Sequence, residues 1–229
     1  MARKTTPKKR HTGPEGSVVV IGLGRFGRAL ALELIDEDTE VLGIDENAEV
    51  VQALSGSLTH TVRADSTKED ALRQLGVHEF DRAVVSIGTD LEASILTASL
   101  LISFGIESVW AKATSEAHGR ILTQIGVHHV VYPEHDMGQR VAHLVRGRML
   151  DYIEFEDDFA MVKTSPPAGI IGLPLSSSAV RSRYGITVVA IKRPGEGFTY
   201  ATPETVVEAD DTIIVAGRTR ATERFSELQ

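Results

Sequence analysis

The 229-residue chain contains no cysteine, which removes disulfides, thiolate metal sites and cysteine nucleophiles together. Any chemistry must come from oxygen and nitrogen groups. No apolar run approaches the roughly 20 residues that a membrane helix needs, and no apolar block near the start resembles a secretory signal, so a cytoplasmic location is expected. A basic balance is lacking too: 24 Lys and Arg stand against 32 Asp and Glu, for a formal net charge of -8. Binding to nucleic acid needs cations concentrated on one surface, so nucleic acid is not expected as a partner. The exception is the front end, where Arg3, Lys4, Lys8, Lys9 and Arg10 lie among Pro, Thr and Gly without hydrophobic periodicity. Residues 1–16 therefore read as a disordered basic tail, solvated or in contact with anionic headgroups beside a membrane partner.

Signs of catalysis are also missing. The P-loop pattern with its lysine is absent, and no Lys or Tyr stands in a recognisable dyad spacing. His118, His128, His129, His135 and His143 are scattered without ligand spacing, although His135 and His143 could share a helix face. They read as surface or core histidines. A dehydrogenase needs a proton donor over its nicotinamide and a domain to clamp its substrate, and neither is visible. The expectation is a protein that is not an enzyme, with an NAD-dependent oxidoreductase of unrecognised active site as the alternative.

What is present is rhythm. From Ser17 onward, apolar runs of strand length alternate with amphipathic runs of helix length, the signature of a parallel sheet with helical crossovers. Strands are expected at Val18 to Ile21, Glu40 to Asp45, His60 to Arg63, Ala83 to Ile87, Val109 to Lys112 and His129 to Tyr132. Helices are expected between them, and a further helix begins near Asp136. The fold class is α/β, a Rossmann-type doubly wound parallel sheet over residues 17–135. A crossover helix and linker over 136–157 and a small α+β domain over 158–229 follow, the boundary being marked by the acidic stretch Asp151 to Asp158 and by Pro166, Pro167 and Gly169.

Gly22, Leu23, Gly24, Arg25, Phe26 and Gly27 spell G-x-G-x-x-G directly after a strand and before a helix. In that context Gly22 permits a tight turn, Gly24 lets the backbone approach a pyrophosphate, and Gly27 lets the helix pack close to the sheet. Asp45 follows at the tip of the second strand, where an acid accepts hydrogen bonds from ribose hydroxyls. A 2'-phosphate would be repelled there, whereas NAD, ATP, ADP and AMP stay open. Arg25 can reach a terminal phosphate or stand exposed on the first helical turn. Asp65 either accepts from an adenine amino group or belongs to a segment in which Ser66 or Thr67 caps the next helix. Gly88 and Lys112 close strands on the same edge. Glu134, after Pro133, reads as a ligand for Mg2+, Ca2+ or Na+ near phosphates, or as an exposed acid at a helix start.

Longer strings carry a more specific likeness. VVVIGLGRFGRALALEL, VLGIDEN, VVSIGTDLEASILTA, WAKATSEAH, VVYPEHDMGQRVA and LDYIEFEDDFAMV closely resemble the RCK (regulator of potassium conductance, TrkA-N) domain of KtrA and KtrC subunits. VRSRYGITVVAIKRPGEGFTYATPETVVEADDTIIVAG resembles the RCK C-terminal subdomain, so the likeness spans roughly residues 17–225. The resemblance implies dimers assembled into an octameric ring beneath a KtrB/TrkH-type membrane subunit, with exchange of ATP for ADP changing the ring's shape. It implies that Gly22, Gly24 and Gly27 form the phosphate loop, that Asp45 holds the ribose and that Asp65 touches adenine. It also implies that Arg25 reaches the terminal phosphate across the dimer and that Glu134 holds an activating cation between paired nucleotides. Around Asp65 the family often has Gly or Asn, where this chain has RADST. The helix from about Asp136 to Leu150 resembles one that swaps between protomers, with Met137, Val141, Leu144, Val145 and Met149 as a partner-facing stripe. Some members bind cyclic di-AMP in the C-terminal subdomain, where Ile170, Ile171, Arg181, Tyr184 and Pro203 occupy the corresponding stretch.

Overall fold

The structure, a computed structural model, describes residues 16–146 and 149–228. Residues 1–15, most of the expected basic tail, lie outside that description. Strand β1 (Val18–Ile21) is buried along its whole length, as a central strand covered on both faces must be. Successive side chains alternate between faces: Val19 and Ile21 enter one core, Val18 and Val20 another. Helices α1 (Arg25–Asp36) and α2 (Ala48–Leu54) close the second core with Ala31, Leu34 and Leu54. On the other face α3 (Glu69–Gln74), α4 (Leu91–Phe104) and α5 (Glu116–Gln124) contribute Leu72, Leu101 and Leu122.

The remaining strands are β2 (Val41–Asp45), β3 (His60–Arg63), β4 (Arg82–Val85), β5 (Ser108–Lys112) and β6 (His129–Val131). The sheet runs β3-β2-β1-β4-β5-β6, parallel throughout, which is the doubly wound order expected. Strand order reverses between β1 and β4, the point beside which doubly wound sheets bind ligands outside the carboxyl ends of their strands. Among the described residues no helix is long and apolar enough to cross a membrane.

The chain divides into two units, one ending at Pro133 and one starting at Glu134. Helix α6 (Pro133–Arg146) begins three residues before the expected start at Asp136, and Met149–Phe155 is not helix or linker but strand β7. The acids that read as a boundary instead turn a hairpin: β7 pairs antiparallel with β8 (Phe159–Thr164), and Asp157 and Asp158 at its tip adopt φ of 61° and 58°, a left-handed conformation that Asp tolerates better than most residues. Two short helices follow, α7 (Leu175–Ser178) and α8 (Val180–Tyr184), separated by Ala179 at φ 53°. A continuous helix would set Leu175 and Val180 about 140° apart; the break brings both onto one core. Strands β9 (Ile186–Lys192), β10 (Phe198–Tyr200) and β11 (Thr212–Arg218) complete a sheet of order β10-β9-β11-β8-β7, antiparallel throughout, and α9 (Thr219–Ser226) closes the chain.

Helix α6 is fastened within the second unit at two points. Arg140 bonds Asp151 of β7 at 2.5 Å, and His143 stacks on Tyr152 with ring centroids 4.1 Å apart while reaching Glu223 of α9 at 2.9 Å. The hydrogen bond from Arg140 holds the Asp151 carboxyl below its ordinary value. A depressed folded value means that the stabilisation is full above the unfolded value of about 3.9 and fades as pH falls through the lower folded value. With both side chains more than 40% exposed, the effect should stay under about 1 kcal/mol. Asp151→Asn is therefore expected to flatten the loss of stability below about pH 4 in acid titrations followed by circular dichroism, with little change at neutral pH beyond that small offset.

Candidate functional site

The turn after β1 is built by three glycines with different tasks. Gly22 has φ 89°, a left-handed conformation that glycine adopts without steric cost, and its N–H donates to Ile44 O at 2.8 Å. Gly27 is buried in the first turn of α1, where a Cβ would meet Gly22 O and Ser86 Oγ. Beside Gly24 the space is open, and a Cβ would find no protein atom within 4 Å.

Helix α1 begins without a side-chain cap and without an acid in its first turn. Its neighbours differ: Asn47 caps α2, Asp90 caps α4 and Ser115 caps α5. The first N–H groups of α1 thus face outward at the positive end of the helix dipole. Phe26, Gly88 and Lys112 gather near this end. The Lys112 ammonium lies 5.9 Å from the Phe26 ring centroid and 3.4 Å from where a Gly88 Cβ would stand. Arg25 is exposed at the first position of the helix.

Asp45 ties two loops together. Its Oδ2 accepts from Leu23 N at 2.7 Å and its Oδ1 from Asn47 N at 2.8 Å. A carboxylate offers about four acceptor positions, so capacity remains for a ligand. Beside it opens a groove of about 680 Å³ lined by Glu46, Asn47, Arg63, Ala64 and Asp65. Asp65 is exposed, and its Oδ1 accepts from Thr67 Oγ1 at 2.6 Å and Thr67 N at 2.9 Å; these bonds hold the carboxyl below its usual value. The capping expected of Ser66 or Thr67 does not occur. Lys68 stands at the N-cap of α3 without a side-chain bond, Thr67 is engaged by Asp65, and buried Ser66 turns inward to Thr97 Oγ1 at 2.8 Å.

Sequence reasoning missed Ser86, whose hydroxyl donates to Gly22 O and, at 3.2 Å, to Ile21 O, anchoring the glycine turn to β4. It also missed Glu46, Asn47 and Arg63 as groove walls. Their signal was only adjacency to Asp45 and Asp65 at strand tips. Glu134 lies at the start of the second unit, in the first turn of α6. Among the described residues no group of three His, Asp or Glu could hold a metal ion, so a cation at Glu134 would need ligands from elsewhere.

The five residues read as a cyclic dinucleotide site are not all surface. Ile170 is fully buried and fills the core of the second unit. Tyr184 packs edge-on against Phe225 with centroids 5.3 Å apart. Ile171 is half-buried and bridges Val207. Arg181 and Pro203 are exposed; Arg181 Nε donates to Thr187 Oγ1 at 3.2 Å and Pro203 O accepts from Ser176 N at 2.8 Å.

Residues 18–133 match the TrkA-N domain and residues 159–229 the TrkA-C domain. Ktr system potassium uptake protein C of Bacillus subtilis (strain 168) is 36% identical over 209 residues, which span 91% of this chain and 95% of that one. This chain belongs to the Ktr family of TrkA-N/TrkA-C proteins. Another member, Ktr system potassium uptake protein A of the same organism, is 35% identical over 90% of this chain and 93% of its own. The protein A of Vibrio alginolyticus is also 35% identical, over 86% of this chain and 90% of its own. Among solved structures, the GsuK RCK domain superposes with a TM-score of 0.65 at 17% identity, over 94% of this chain and 48% of that one. The GsuK channel bound to NAD superposes at 0.64 and 16% identity, over 93% and 40%. This chain thus spans about half or less of those chains, and the likeness establishes the fold. The RCK resemblance read from the sequence holds along nearly the whole length of this Ktr family member.

Proposed function

We propose that this Ktr family protein is a regulatory, non-catalytic subunit of a bacterial potassium uptake system, and that its first unit binds an adenine nucleotide, ATP or ADP, with NAD or NADH as competing ligands. The carrying observation is the Asp45 carboxylate bonded to the glycine turn beside a helix start that no side chain caps. Phosphates fit the α1 N-terminus with Lys112 and Arg25 as cations, the ribose fits the spare acceptor sites of Asp45, and the base fits the groove ending at Asp65. The names of the relatives supply potassium uptake. A nucleotide shifts a conformational equilibrium only through different affinities for its two states, so ATP and ADP would act by favouring different shapes of a homodimer-based octameric ring. That ring would sit on the cytoplasmic face beneath a KtrB/TrkH-type membrane subunit, and Glu134 would join paired nucleotides through Mg2+, Ca2+ or Na+.

Mass spectrometry of the ligand released from purified protein, followed by small-angle scattering of the empty, ATP-loaded and ADP-loaded forms, tests this reading. An adenine nucleotide and distinct scattering for ATP and ADP are expected. Identical curves in all three states, or hydride transfer with NADH, would overturn it. Lys112→Met should weaken ATP and ADP by about tenfold in calorimetry, the scale of one charged hydrogen bond, and the loss should shrink at high salt.

A further inference from the structure

We infer that Arg63 is the platform on which the nucleobase stacks, and that it decides how strongly this site prefers a purine. The inference rests on the adenine-nucleotide reading above. Arg63 is the last residue of β3 and is the register partner of Asp45 at the end of β2. Adjacent parallel strands lie about 4.8 Å apart, so the glycine turn after β1, Asp45 at the end of β2 and Arg63 at the end of β3 form a row spanning about 10 Å. Phosphate, ribose and base of an extended nucleotide succeed one another along such a row.

The side chain of Arg63 is held at one atom. Its Nε donates to Glu46 O at 2.9 Å across the strand tips, which tethers the planar guanidinium over the groove that Arg63 helps to line. An anchored guanidinium plane offers a face to an aromatic ring without losing much side-chain freedom. The alternative partner for such an arginine is a phosphate, as on the 2' position of a ribose. The lining speaks against it. Glu46 and Asp65 border the same groove, Asp45 stands at its edge, and Asp65 keeps its charge through the bonds from Thr67. Carboxylates so placed repel an anion and accept from the amino group of a neutral base, while Arg63, the one cation lining the groove among the described residues, supplies the stacking face.

Calorimetry on the full chain with ADP, UDP and ribose 5-diphosphate tests this assignment, using Arg63→Ala and Arg63→Lys. Wild type should bind ADP more tightly than UDP. Arg63→Ala should weaken ADP by about tenfold, the scale of one base-stacking contact, narrow the gap between ADP and UDP, and leave ribose 5-diphosphate unchanged. Arg63→Lys keeps the charge without the plane and should not restore ADP. Equal losses for ADP and ribose 5-diphosphate would assign Arg63 to loop integrity, and full recovery in Arg63→Lys would assign it to charge alone; either result overturns the platform, as does an ADP affinity indifferent to the substitution. Failure of the wild type to bind ADP at all would instead bring down the nucleotide reading on which the platform stands.

Discussion

Asp45→Ala is expected to release the nucleotide and to loosen the empty protein, and the two losses have separate physical sources. The first is the ribose contact together with the shape of the glycine turn, and a fall of at least about a hundredfold in ADP affinity is expected from losing charge-assisted hydrogen bonds of 1.5–3 kcal/mol each. The second comes from Leu23 N and Asn47 N, both of which donate to this carboxylate. Because Asp45 is only half-buried, water replaces part of what is lost, and about 2 kcal/mol is a fair expectation. For a unit of this size that corresponds to roughly 8 °C in the melting temperature. The two cores on either side of the sheet are untouched, so far-ultraviolet dichroism should remain native. A ribose ligand with no structural duty would leave the melting temperature of the empty protein unchanged. Undiminished ADP binding would remove Asp45 from the site.

Gly27→Ala should be the most damaging single methyl in the first unit. Helix propensity alone favours alanine by about 1 kcal/mol, yet the added Cβ would meet Gly22 O, a backbone atom that cannot swing aside, and the buried Ser86 hydroxyl. Overpacking of this kind costs about 1–3 kcal/mol, and here relief requires moving the turn that faces the ligand. A drop of up to roughly 8 °C in melting temperature and loss of nucleotide retention are expected together. Gly24→Ala provides the contrast. Its Cβ meets no protein atom, so stability should change by less than about 0.5 kcal/mol, while ADP binding should weaken because the methyl occupies space that the phosphates need. If both variants melt like wild type, the crowding at Gly27 is absent in solution.

Most of the six parallel strands were legible as apolar runs bounded by turn residues, buried on both faces at the centre of the sheet, whereas β3, with Val62 its one apolar residue, followed from its place in the alternation. The second unit was harder to read. Its β7 carries Asp151 and Glu154 amid Tyr152 and Ile153, and an edge strand with one polar face does not show the continuous apolarity of a central one. At the site, spacing marked the glycines and Asp45, and strand ends marked Gly88 and Lys112. Spacing could not mark Ser86, because a serine at a strand end is common and its bond to Gly22 joins residues 64 apart.

By itself the sequence determined the local conformations: where the apolar period is 2 or 3.6, where only glycine can turn, and which strand tips carry an acid. Those follow from sterics and burial acting within a few residues. Tertiary structure alone decided which tips became neighbours. The doubly wound order puts β1 between β2 and β4, and in the folded sheet this placement brings Ser86 onto the glycine turn, Asp45 onto Leu23, and Arg63 beside Asp45. It is settled by burying two apolar faces of one sheet at once, a condition that no short segment can express.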